Sequence, residues 1–241
     1  MSNTASTQSL PKRVQDSLDR LQAAGEVGQF LVPTYLAAYH LEPEILQLVV
    51  LLPHDVQKSN HFANGKTPGH AVLPASSAGG GFEVYVDTTS WERYAQLLKD
   101  RHITIEEIAR KLGITAAEVT PPMFAVFTLA HELGHMVHFA REGLGFDHEL
   151  IGEQYRGELQ MLPYPGKSAA GVIDWARKNP AAAEAYLVQE HDRLAGLGIH
   201  SVEELLIAQE RAYRNMPFED SADQFGVHVI RSMQAPENAP E

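Results

Sequence analysis

His131-Glu132-Leu133-Gly134-His135 is the stretch around which this chain organises itself. If it is helical, the two histidines stand one turn apart on one face and can grip a single metal ion. Glu132 then sits beside them, placed to act on a water held by the metal rather than on the metal itself. Working outward, Thr120-Pro121-Pro122 supplies an N-cap and first-turn prolines, whose missing N–H groups have no helical partner anyway. The apolar run Met123–Ala130 continues through Met136, Val137, Phe139 and Ala140, and Gly143 follows as a C-terminal stop. A helix over 122–142 is therefore expected, with Val126, Leu129, Ala130, Leu133 and Val137 facing the core. An ionised glutamate is costly to bury in such a helix unless it is paired, so the three polar residues read as a site.

Two imidazoles do not hold a catalytic metal, and the chain has no cysteine, so the third donor must be His or carboxylate. Glu219, in Met216-Pro-Phe-Glu-Asp-Ser-Ala-Asp223, is the best candidate, with His138, His148, Glu149 and Glu153 as rivals. Asp223 lies one turn beyond Glu219 on the same helix face and is suited to accept a hydrogen bond from a ligand imidazole. Phe218, Ala222, Phe225 and Val229 give that helix an apolar side.

His131-Glu-x-x-His135 followed by Glu219-x-x-x-Asp223 resembles the gluzincins, the thermolysin-like zinc metallopeptidases, and residues 214–226 resemble the third-ligand segment of small intracellular members. The resemblance implies one Zn2+ per chain held by His131, His135 and Glu219. It implies Glu132 as general base, Asp223 as orienting acid, and a protein or peptide as substrate. The family's strand that aligns an extended substrate maps loosely onto Phe82–Asp87. A second donor to the oxyanion is also expected, with Tyr155, Tyr213 and His191 as candidates. The implied fold is α+β and zincin-like: mainly helical, with a small antiparallel sheet packed on the helix that carries the motif.

The 241 residues suit one domain over 11–233, with disordered ends at 1–10 and 234–241. Within it, the sheet and motif helix occupy about 70–142, a helical insert about 143–216, and the third-ligand helix 217–233. Residues 11–24 and 90–99 read as helices. Pro33 is expected to interrupt 27–41, and 43–52 to be helix or strand. Segments 70–73 and 82–87 read as a hairpin across the small-residue connection 75–81. In the insert, a helix start is expected near Glu149, a helical stretch over 169–195 broken near Pro180, and a helix from a Ser201/Glu204 capping box to Arg214.

The net charge of −12 argues against nucleic-acid partners. No apolar run reaches membrane-spanning length and Met1–Leu10 carries no signal-peptide core, so a cytoplasmic protein is expected. Residues 103–119 resemble a helix-turn-helix, but the would-be recognition segment Thr115–Val119 has no basic residue. His54, His61 and His70 could form a second metal cluster; their irregular loop spacing favours solvated side chains. Gly79-Gly80-Gly81 lacks the Lys-Ser/Thr of a phosphate loop. The leading expectation is a zinc endopeptidase. The alternative is a silent or latent zincin-fold regulatory module that binds a protein partner or DNA; an intact Glu132 favours the enzyme.

Overall fold

The computed structural model describes residues 10–54, 67–72, 82–143 and 147–234. The expectations for the chain ends, the 55–66 part of the loop, His61 and the 75–81 connection fall outside them. The chain begins with α1 (Lys12–Ala23) and α2 (Gly25–Leu41), which turn about Gly25 at φ +81°, a conformation glycine adopts without strain. A short α3 (Pro43–Leu46) leads into β1 (Val49–His54), followed by β2 (Gly69–Val72) and β3 (Phe82–Asp87). Next come α4 (Trp91–Asp100), α5 (His102–Leu112), a 3-10 turn at Ala116–Glu118, and α6 (Pro121–Arg141). The insert contributes α7 (His148–Gln160), α8 (Ala169–Lys178), α9 (Pro180–Gln189), α10 (His191–Gly196) and α11 (Val202–Arg214), and α12 (Pro217–Gln234) closes the order.

The architecture is mainly helical α+β, as expected, but the sheet is mixed rather than antiparallel. Its order is β1-β3-β2, with β2 antiparallel and β1 parallel to β3. The expected hairpin is present as β2 and β3. The departure comes from β1, which adds to the opposite side of β3 with Val49 beside Phe82. Alternation explains the addition: Val49 and Leu51 of β1, and Phe82, Val84 and Val86 of β3, all turn into the same core. β3 is consequently the central strand and not an edge; β2 stands at the edge nearest α6.

One expectation is corrected and one set-aside resemblance is resolved. α2 runs unbroken through Pro33. Pro33 and Gln29, whose carbonyl loses its amide partner, both lie on the exposed face, while Val27, Leu31, Tyr35 and Ala38 pin the other face in the core. Water can serve the freed carbonyl, and packing outweighs the break. The helix-turn-helix resemblance also fails. After α5 ends at Gly113, with φ +76°, the chain forms only a 3-10 turn held by a Thr115–Glu118 capping box.

α6 is the axis of the molecule. Thr120 caps it by accepting from the Met123 amide, and every residue from Phe124 to Phe139 is buried. A helix apolar nearly all round must be wrapped on all sides. The sheet, α2, α4 and α12 do the wrapping. α12 crosses closest: a Cβ on Gly134 would come within 2.8 Å of both the Cα and the carbonyl oxygen of Ala222. Only a hydrogen at 134 lets the two backbones approach this far.

Candidate metal centre

The α6–α12 crossing brings the motif to its third donor. His131, His135 and Glu219 are all buried and offer ligand atoms within 4.8 Å of one another. His131 Nε2 lies 3.4 Å from Glu219 Oε2. A small divalent ion bound tetrahedrally at ~2.0–2.1 Å needs ligand atoms about 3.3 Å apart, so this pair already stands at the right spacing. His135 presents a buried Nδ1 with no hydrogen-bond partner among the described residues. The set of two imidazoles and a carboxylate, with no thiolate, fits a borderline divalent cation.

Behind the donors stands a second layer of charge. Asp223 Oδ1 lies 2.7 Å from His131 Nδ1, which turns Nε2 toward Glu219. Asp223 is itself held by Arg214 Nη1 at 3.0 Å and by Lys111 Nζ at 2.8 Å. Lys111 also reaches Asp220, and Arg214 Nε reaches Glu210 Oε1 at 3.2 Å. Tyr213 donates its hydroxyl hydrogen to Glu219 Oε1 at 2.6 Å, and the Tyr155 and Tyr213 hydroxyls meet at 3.2 Å. One orienting acid on α12 thus draws on α5, α6 and α11 at once.

The electrostatics follow from burial and these neighbours. Burial alone would lower His131, but Asp223 and Glu219 outweigh it and raise the imidazole to about 9. Burial, with His131 beside it, pulls His135 down to about 3, so that ring is neutral and ready to ligate. Burial opposes ionisation of Glu219, yet His131, His135 and Arg214 hold its carboxyl at about 2. Asp223 is likewise lowered, against burial, by Arg214 and His131. Glu132 moves the other way: burial, aided by Glu219, raises it to about 7 against the pull of His131, Arg214 and Arg101. A carboxylate poised near neutrality suits proton transfer.

Glu132 and all three donors line one cavity of about 400 Å³, together with Arg101, Tyr155 and Tyr213. Its wall on one side is β2. A Cβ on Gly69 would come within 2.7 Å of both the Glu132 Cγ and the Thr128 Cγ2, so the strand presses directly on the glutamate.

Among the other candidates, Tyr155 and Tyr213 reach the cavity but His191 does not. It is exposed, with Nδ1 3.2 Å from Asp192, and does not line the cavity. It sits on α10, whose buried Leu194 belongs to a separate small cluster. His138 is buried against Phe139 and Phe218 without joining the donor group. Glu149 and Glu153 are exposed on α7. Phe82–Asp87 cannot align a substrate, since β3 is paired on both sides; Gly69–Ala71 of β2 line the cavity instead. His70 lies on that wall, whereas the His54 and His61 side chains lie outside the described residues.

Sequence reasoning missed Lys111, Arg214, Arg101, Gly69 and Gly134. Only Glu210 and Arg214 left a trace, an acid and a base at i,i+4. Comparison with family models, with curated proteins and with solved structures finds no match to this chain.

Proposed function

We propose that this protein is a zinc-dependent peptidase of zincin-like architecture that hydrolyses peptide bonds. The observation that carries the reading is the buried His131, His135 and Glu219 group opening, with Glu132, onto a single cavity. Zinc is the ion that best fits two imidazoles and one carboxylate in a site with room for a water. When bound there it supplies Lewis acidity, lowering the pKa of a water and polarising a carbonyl.

The chain's own residues supply the rest. Glu132 accepts the proton of the attacking water and returns it to the leaving amine, a role its pKa near neutrality supports. Asp223 holds His131 in the orientation that leaves Nε2 for the metal. Tyr213 commits its hydroxyl hydrogen to Glu219, which leaves Tyr155, whose hydroxyl meets that of Tyr213 on the cavity wall, as the candidate for stabilising the developing oxyanion. By the gluzincin resemblance, an extended substrate lies along the β2 wall at Gly69–Ala71.

The test is zinc content measured beside cleavage of casein and short peptides, in wild type and Glu132→Ala. Wild type is expected to bind about one zinc and cleave. Glu132→Ala should keep its zinc and lose at least ~100-fold in kcat. Cleavage that survives the substitution would refute the mechanism.

A further inference from the structure

Two arginines line the cavity, and they differ in what they are bound to. Arg214 is committed: Asp223 sits at 3.0 Å, Glu210 at 3.2 Å, and Glu219 at 3.8 Å. Arg101 makes no side-chain hydrogen bond or ion pair with any described residue. Its backbone, however, is fixed from both directions. Its amide donates to the Leu97 carbonyl at the end of α4, and its carbonyl accepts from the Ile105 amide in the first turn of α5. Burial pulls the guanidinium below its usual range, and Glu210 and Glu132 offset this only from beyond ion-pair distance. The same cavity is lined by Phe124, Phe127, Ile108 and Ile151 as well as by its charged groups. A guanidinium with no counter-charge in contact, carried on a backbone held from both sides and opening onto the cavity, is suited to bidentate capture of a planar carboxylate.

We propose that Arg101 is the specificity-determining residue of this cavity, and that it selects peptides bearing a carboxylate close to the scissile bond. The carboxylate is an Asp or Glu side chain or a free C-terminus, and the two sources share the same chemistry. The inference rests on the peptidase reading for its link to cleavage, and on Arg101 alone for recognition.

The experiment uses matched hexapeptides differing only in Asp against Asn at successive positions, or in a free against an amidated C-terminus. They are offered to zinc-loaded wild type, Arg101→Met and Arg101→Lys, with zinc content and Tm followed as folding controls. Binding of the same peptides to Glu132→Ala is measured by calorimetry, which reads recognition without turnover. The carboxylate-bearing member should be favoured roughly ten- to hundred-fold in kcat/KM and in Kd. Arg101→Met should abolish the preference and Arg101→Lys keep part of it. A preference that follows Asp assigns the side chain; one that follows the free terminus assigns the C-terminal carboxylate.

Equal treatment of both members by wild type overturns the inference, whether or not Arg101→Met folds. So does a preference that Arg101→Met retains with zinc content and Tm unchanged. Arg101-dependent binding without any cleavage would sink the peptidase reading and leave the recognition standing. Cleavage without preference would do the reverse.

Discussion

At the scale of single residues, the site is a set of buried charges that depend on one another. Asp223 touches His131, Arg214 and Lys111, so Asp223→Asn both frees the imidazole and leaves two cations short of a partner. Loss of an orienting acid costs about 10–100-fold in metal affinity, and that is the fall expected in a competition titration against a zinc chelator. Zinc affinity equal to wild type would show that Asp223 does not orient His131. The raised His131 makes a second prediction. In metal-free protein its folded pKa of about 9 exceeds the ordinary value of 6.5, so protonation favours the fold. That contribution is complete below about pH 6.5 and is lost as pH rises through about 9. Metal must displace the proton, so zinc binding near pH 7.5 should release about one proton from this ring. Calorimetry in buffers of different ionisation enthalpy measures the release; none at that pH would mean that the ring is already neutral.

At the scale of elements, two glycines decide whether the donors meet. Gly→Ala in an ordinary exposed helix stabilises by about 1 kcal/mol. At Gly134 the new Cβ meets backbone of α12, which cannot swing aside, and overpacking of about 1–3 kcal/mol outweighs the gain. Gly134→Ala should lower Tm and zinc affinity together, because the wedge moves Glu219 and Asp223 away from His131. Unchanged zinc affinity would show that the crossing has slack. Element spacing also explains what could be read from the chain alone. α6 and α12 were legible because periodic apolar residues, Thr120, Pro217 and the motif all agree locally. The donors His131, His135 and Glu219 followed from residue chemistry. β1 was read only as the strand alternative for 43–52, and its parallel pairing was not legible, because its partner β3 lies beyond β2 in the chain. Nor was α2, where tertiary packing overrode Pro33. Arg101, Gly69 and Gly134 acquire meaning only from neighbours distant in sequence, and for the same reason the sequence could not rank His191, which lies away from the cavity, below Tyr155 and Tyr213.

At the scale of the whole molecule, one large core gathers α1, α2, the sheet, α4, α6 and the outer half of α12. Apart from Ile151, which joins the large core, the insert's clusters are small, Leu159/Leu162/Met216 and Leu194/Ile199/Leu205, and too slight to stand alone. Yet it delivers Tyr155, Glu210, Tyr213 and Arg214 to the cavity. The candidate metal centre thus sits where core and insert meet, and an ion bound there should tie them together. At free zinc a hundred-fold above Kd the stabilisation is about 2.7 kcal/mol. Chelation should therefore lower Tm and raise amide exchange first in α11 and the start of α12, leaving α6 protected; uniform loss of protection would refute this coupling. No helix among the described residues is long and apolar enough to cross a membrane. The contact of Gly69 with Glu132 has a last consequence. On the peptidase proposal, the strip of backbone that would guide a peptide is also the backstop of the residue that would carry the proton, so guidance and proton transfer would be one mechanical part. A tight inhibitor that shoves this strip outward would gain room at the expense of a loosened base, and compounds that leave the strip at rest should inhibit best.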